Sequence, residues 1–189
     1  MDLSEAAPQR PRAGLKRTLA LVAGDLAHRF LQNWELTADS RGYQTHLSAF
    51  LDRWLPDEMR PDRSAVEADL QEIFQGFFGS PAHAELAAAR ILGREVPLLM
   101  PWNGQIMEGV IDVIYERDGL LYLADYKTDR IAREELKLGA ERYRQQAQIY
   151  AEAARLSLKR EVAAFKIIFL RLGEAVEITA EKNKELSPF

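Results

Sequence analysis

The sequence predicts a mixed α/β fold: helices through the first half of the chain, then a sheet interrupted by one long helix. Three observations carry it. Apolar residues recur at spacings of three and four up to about residue 92. From about residue 93 the pattern changes to short apolar, β-branched runs. Three of these runs are joined by Asn103-Gly104 and Asp118-Gly119, the favoured dipeptides of two-residue hairpin turns.

The elements follow in order. From Leu15 to about Leu36, Leu19, Val22, Leu26, Phe30 and Trp34 form one helical stripe, which "TADSRGY" breaks. A second helix runs from Gln44 to Trp54 and stops before Pro56. "LPDEMRPDRS" reads as a loop, with Asp62 or Ser64 as the cap of a helix from Ser64 to Phe78. Gly79-Ser80-Pro81 punctuates, and Pro81 suits the first turn of an Ala-rich helix to about Leu92. "REVPLLM", "QIMEGVIDVIYE" and "LLYLADYK" read as three strands. "RIAREELKLGA" is a charged connector to a long helix from about Ala140 to Ser157. "VAAFKIIFLRL" is a fourth strand, Gly173 a turn and "AVEIT" a fifth. Residues 1–14 read as a flexible polar arm and 183–189 as a tail. Between them, 15–182 form one domain, with a helical part (15–92) and a part made of sheet and long helix (93–182).

Composition narrows the function. The 189 residues include no cysteine. This excludes disulfides, thiolate zinc sites, iron–sulfur clusters and cysteine nucleophiles, and fits a reducing, cytoplasmic setting. No apolar run approaches the ~20 residues of a membrane span. The net charge of −4 counts mildly against a stand-alone nucleic-acid binder, although an acidic active site would also explain it.

The acids inside the strands are the informative departure. Aspartate is a poor strand former and costly to bury. If Asp118 and Gly119 are the two turn residues, Asp112 sits directly opposite Asp125. The same rule at Asn103-Gly104 sets Glu95 opposite Asp112, although Pro101 and Trp102 also allow a longer loop that would shift Glu95. Lys127 shares the face of Asp125 because strand side chains alternate. Three carboxylates in a row repel one another unless something positive lies between them. A hard divalent cation that takes oxygen ligands meets that need. Such an ion would clamp a phosphate and make hydroxide available at neutral pH, with Lys127 stabilising developing charge.

These residues resemble the core of the PD-(D/E)xK nucleases. Asp112 in "GVIDVIYE" matches the first acid, and Asp125-Tyr126-Lys127 the D/E-x-K element. Tyr143, Gln146 and Tyr150 in "YRQQAQIYAEA" resemble the Tyr-x-x-Gln-x-x-x-Tyr signature of the RecB-like branch. Gly24 and His28 in "GDLAHRFLQ" resemble its Gly-x-x-x-His element, and Glu95 stands where an extra acid is common. The resemblance spans about residues 20–170. It implies a restriction-endonuclease-like αβββαβ core with an N-terminal helical extension, and DNA cleavage dependent on Mg2+ or Mn2+. It implies His28, Asp112, Asp125 and the Tyr126 carbonyl as metal ligands, Lys127 as catalytic and Glu95 as an outer acid. Without cysteines the chain is similar to the cluster-free nuclease domain of AddA- or RecB-type helicase–nucleases. That similarity implies single-stranded DNA or DNA ends as substrate, a helicase motor as partner, and a role in recombination and double-strand-break repair. With no Walker-type G-x-x-x-x-G-K-[S/T] loop in its sequence, the chain reads as an excised domain or a stand-alone relative.

Weaker assignments remain. Gln146 is poorly explained as core and is expected to hydrogen-bond near Asp125 or Lys127, or to contact a phosphate. Tyr143 is a candidate for base stacking or a phosphate bond, and Thr128 and Arg130 for phosphate contact. Arg133, Lys137, Arg142 and Arg144 near them, and Arg10, Arg12, Lys16 and Arg17 in and just after the arm, are further basic candidates. Two rival readings stay open: a non-catalytic DNA- or protein-binding module with the same fold, and a stand-alone endonuclease.

Overall fold

The structure is a computed structural model that describes residues 18–37, 42–102 and 105–178. The arm, the four basic residues Arg10, Arg12, Lys16 and Arg17, the Asn103-Gly104 turn and the tail lie outside the described residues.

Helix α1 (Leu19–Asn33) starts where the Thr18 hydroxyl accepts from the Leu21 amide. Helices α2 (Tyr43–Trp54) and α3 (Arg63–Phe77) follow, then α4 (Pro81–Ala88), capped by Ser80 with Pro81 in the first turn. The segment expected as a loop forms a 3₁₀ turn, Asp57–Asp62, which buries Met59. Asp62 stands at the cap of α3 but makes no capping bond. Helix α4 ends at Ala88 rather than near Leu92, because Arg90 and Ile91 pair with Glu116 and Tyr115 at the far end of the next strand. Tertiary pairing overrides the helix propensity of the Ala-rich run.

Strands β1 (Arg90–Trp102), β2 (Gln105–Arg117) and β3 (Leu120–Lys127) form an antiparallel meander. The charged connector contains a 3₁₀ turn, Arg133–Glu135, and a short helix α5 (Leu136–Glu141). The long helix α6 (Arg144–Leu158) therefore begins four residues later than expected, with Tyr143 as its cap. Strand β4 (Val162–Phe169) pairs in parallel with β3, and β5 (Glu174–Ile178) closes the sheet in the order β1-β2-β3-β4-β5. The expected αβββαβ core is present, preceded by the helical extension.

Two cores flank the sheet. Helices α1–α4 pack on Val113, Tyr115, Ala124 and Tyr126. Helix α6 packs on Ile114, Leu121, Leu123, Phe165 and Ile167. Ile111, two residues before Val113, joins the second core rather than the first, at the point where β2 parts from β3. Leu120 beside the hairpin turn and Val110 are exposed, so the apolar covering is incomplete at the two ends.

The register is the predicted one as far as Val113 and Ala124, but the next expected pair, Asp112 opposite Asp125, does not form because β2 leaves β3 there. Val113 pairs with Ala124 and Arg117 with Leu120, and Asp118 and Gly119 have φ of 52° and 77°. Two successive left-handed residues are what a type I′ turn requires. On the first hairpin Trp102 pairs with Gln105 and Val96 with Ile111, which keeps Glu95 level with Asp112.

Away from these acids, Lys166 on β4 is buried with its Nζ 2.6 Å from Glu85 Oε1 and 3.1 Å from Glu177 Oε1. The Tyr115 hydroxyl donates to the same Glu85 oxygen at 2.7 Å. Burial alone would raise the Glu85 carboxyl, but these two donors hold it below its ordinary value. Stability from a lowered carboxyl is present above its unfolded pKa and is lost as pH falls through the folded one. Glu85→Gln is therefore expected to cost about 2 kcal/mol near neutral pH, since Lys166 keeps only Glu177. It should also flatten the loss of melting temperature below about pH 4.5. Thermal melts across pH 3–7 check both.

Candidate metal centre and active site

The site lies in a fork. Beyond the Val113–Ala124 pair, β2 leaves β3, while β3 stays on β4 through Asp125, Tyr126 and Lys127. The amide that faces the gap needs a new acceptor. Asp112 supplies it: its Oδ2 accepts from the Tyr126 N–H at 2.6 Å. Asp112 and Asp125 are both buried.

Helix α1 brings His28 across the fork, with Nδ1 3.2 Å from Asp112 Oδ1 and 4.0 Å from Glu95 Oε1. One donor atom from each of His28, Glu95 and Asp112 falls within a 4.8 Å cluster. Glu95 holds φ of 48° inside β1, a left-handed conformation that a non-glycine residue keeps only where its surroundings impose it. Glycine at position 24 admits Thr128: a Cβ there would lie 2.9 Å from Thr128 Oγ1. The close neighbour is thus a side chain, not backbone.

Asp125 is held from two sides. Gln146 Nε2 donates to its Oδ1 at 3.3 Å, and Lys127 Nζ lies 2.6 Å from its Oδ2. That Oδ2 is buried and accepts no hydrogen bond of good geometry. The Lys127 ammonium also sits over the Tyr143 ring, 4.2 Å from its centre, and the Tyr143 hydroxyl bonds Asp129 at 3.2 Å.

The charges are strained without further positive charge. Burial, then the Asp112 carboxylate, push Asp125 up to about 6 against the pull of Lys127. Burial and Asp112 likewise raise Glu95. Burial would lower His28, but Asp112 above all, with Asp125 and Glu95, raises it to about 9. Asp112 is driven down by the same histidine despite its burial. Hard oxygen donors with one imidazole fit a divalent cation of the magnesium or manganese type.

Among the described residues these groups line a cleft of about 1310 Å³ that also takes in Arg29, Trp54, Arg142 and Tyr150. Arg130 is committed elsewhere: its guanidinium bonds Asp69 at 2.6 Å and Glu72 at 2.6 and 2.9 Å, so a phosphate contact would have to break those pairs. Arg171 joins the same knot, 2.8 Å from Asp69, and its Nε donates to the Thr128 carbonyl at 2.8 Å. This latch was missed from sequence, although Asp69 interrupts the stripe of Val66, Leu70 and Ile73 and could have signalled it. Arg133 and Arg144 are paired with Glu174 and Glu141.

A buried acid pair with D-x-K spacing in a βββαβ frame, facing a helix-borne histidine, defines a nuclease class. A family model described as the PD-(D/E)XK nuclease superfamily matches residues 5–187, and the chain belongs to that superfamily. Within it the chain is similar to the ATP-dependent helicase/nuclease subunits of several bacteria. It is 30% identical to the one from Bacillus licheniformis over 183 residues, which is 85% of this chain and 14% of the relative. Against the one from Bacillus velezensis it is 30% identical over 193 residues, 90% of this chain and 15% of the relative. Against that of Staphylococcus epidermidis it is 26% identical over 188 residues, 89% of this chain and 15% of the relative. The chain thus spans about 15% of the length of these relatives. No helix among the described residues is long and apolar enough to cross a membrane.

Proposed function

We propose that the chain is a metal-dependent DNA nuclease, an exonuclease acting on single strands or ends. It would serve as the nuclease unit, over residues 15–182, of a helicase–nuclease in recombination and double-strand-break repair in the cytoplasm. One observation carries the reading: His28, Glu95 and Asp112 converge within 4.8 Å beside an Asp125 that already holds Lys127. The similarity to helicase/nuclease subunits supports the helicase partner.

His28, Asp112 and Asp125, with the Tyr126 carbonyl, would hold Mg2+ or Mn2+; Asp125 lies beside the His28–Glu95–Asp112 cluster rather than in it, and Glu95, inside it, would join them or act as the outer acid. When bound, the cation supplies Lewis-acid charge at the phosphodiester and acidifies water. The chain's residues do the rest. The Tyr126 amide fixes Asp112, and Gln146 fixes Asp125, so neither carboxylate must reorient. Lys127 presents an ammonium where negative charge grows on the phosphate, and the Tyr143 face keeps it there. Thr128 lies at the cleft wall and Arg142 at its rim, suited to neighbouring phosphates.

The test is cleavage of end-labelled linear and circular DNA with Mg2+ or Mn2+. Loss of label from linear molecules alone fits an exonuclease. Discrete products from circles favour a stand-alone endonuclease, and no cleavage with either ion favours a binding module. Lys127→Ala is expected to lower single-turnover cleavage about 10²–10³-fold. It should keep the rise in melting temperature on adding Mn2+, because it removes no ligand. Loss of that rise would make Lys127 structural instead.

A further inference from the structure

We propose that Arg29 and Trp54 form a nucleobase-stacking platform at the mouth of the cleft, seating a base of a single strand whose phosphate reaches the acid cluster. The proposal rests on the nuclease reading for the phosphate and adds the element that grips the strand.

Trp54 ends α2 and is 37% exposed, unlike the buried aromatic residues Tyr43, Phe74 and Phe78. The Arg29 guanidinium lies over its ring, 4.0 Å from the centre, and that of Arg53 lies at 5.0 Å. Arg29 is exposed and makes no ion pair among the described residues, so Trp54 is what orders its planar head. An exposed guanidinium centred over an indole can meet a second ring on its outer side, and bases stack on aromatic and arginine planes alike. The same stack supplies positive charge for the adjoining phosphate.

Placement supports this ligand over a peptide or a lipid. Arg29 follows His28 directly on α1, and Trp54, His28, Asp112, Asp125 and Lys127 line one cleft. Sharing that cleft, the pair can meet a nucleotide adjoining a phosphate held at the acids. Stacking reads no sequence, which suits degradation of any strand.

The experiment walks one abasic site along a fluorescently labelled single-stranded oligodeoxynucleotide. Binding is followed by anisotropy with calcium in place of magnesium, and cleavage with magnesium in parallel. With the unaltered chain, binding should fall about tenfold at one or two adjacent positions. Trp54→Ala and Arg29→Ala should each weaken the intact oligonucleotide about tenfold and flatten the profile. Trp54→Phe should keep a shallower dip, which decides the matter if the alanine variant fails to fold. A flat profile for the unaltered chain, or an unchanged dip in Trp54→Ala, overturns the platform. A dip in calcium without cleavage in magnesium would leave the platform standing and remove the nuclease reading. Cleavage with a flat profile would do the reverse.

Discussion

Asp125→Asn is expected to abolish cleavage, by about 10³-fold or more, while the metal-free protein melts at or above the temperature of the unaltered chain. The two halves of this result have separate causes. Removing a charged ligand forfeits several kcal/mol of charge stabilisation at the reacting phosphate. About 4 kcal/mol corresponds to that loss of rate. Stability moves the other way because Asp125 is buried beside Asp112 and is raised to about 6 by burial and that neighbour. The amide keeps the shape and can still bond Gln146, while one of two clustered negative charges disappears. What is lost is the ion pair with Lys127, which leaves an ammonium facing Asp112 and the Tyr143 ring. Melting with and without Mn2+ checks this. The unaltered chain should gain about 3 kcal/mol at a hundredfold excess over the dissociation constant, and the variant little or nothing. A variant that melts several degrees lower without metal would mean that Asp125 is there to hold Lys127, and the ligand assignment would fail.

That the hairpin register can be aligned from sequence reflects how little freedom a two-residue turn leaves. Asp118-Gly119 fixes the pairing of every residue from Val113 to Ala124, and alternation then fixes the faces. The acids are legible because they violate the apolar pattern around them. What happens beyond the hairpin is not local. Strand β2 parts from β3 at the residues that matter, and nothing in "GVIDV" announces that the Tyr126 amide will be taken by a side chain. The left-handed turn of Glu95 is imposed by its neighbours, since glutamate has no preference for it. Arg130 had looked like a free cation in a charged connector, yet its partners Asp69 and Glu72 lie 61 and 58 residues away. Such a pairing leaves at most one trace in the pattern, here Asp69 within the apolar stripe of α3. Helix α4 overran in prediction for the same reason, its last expected turn being claimed by a strand across the sheet. Trp54 read as the last apolar residue of a helix. Only the fold turns it toward the cleft.

Gly76→Ala should destabilise the chain by about 3 kcal/mol, lowering the melting temperature by about 6–12 °C. Alanine is the better helix former by up to about 1 kcal/mol, so an isolated α3 would gain. The packing decides otherwise. A Cβ at position 76 would lie 2.1 Å from the Arg171 carbonyl oxygen, 2.4 Å from its carbon and 2.7 Å from the Leu170 oxygen. All three are backbone atoms, with no rotamer to yield, so α3 and the turn after β4 must separate. That turn does not move alone. The Leu170 amide donates to the Lys127 carbonyl at 2.9 Å, and Arg171 holds both Thr128 and Asp69. The displacement therefore reaches the strand end that carries Lys127, and residual activity per folded molecule should fall as well. Gly119→Ala separates backbone strain from collision: φ there is 77° but nothing stands within 4 Å of the new carbon, so only about 1 kcal/mol is at stake. If Gly76→Ala melts within 2 °C of the unaltered chain, α3 is not seated against the turn, and the latch of Asp69 and Arg171 cannot be what positions Lys127.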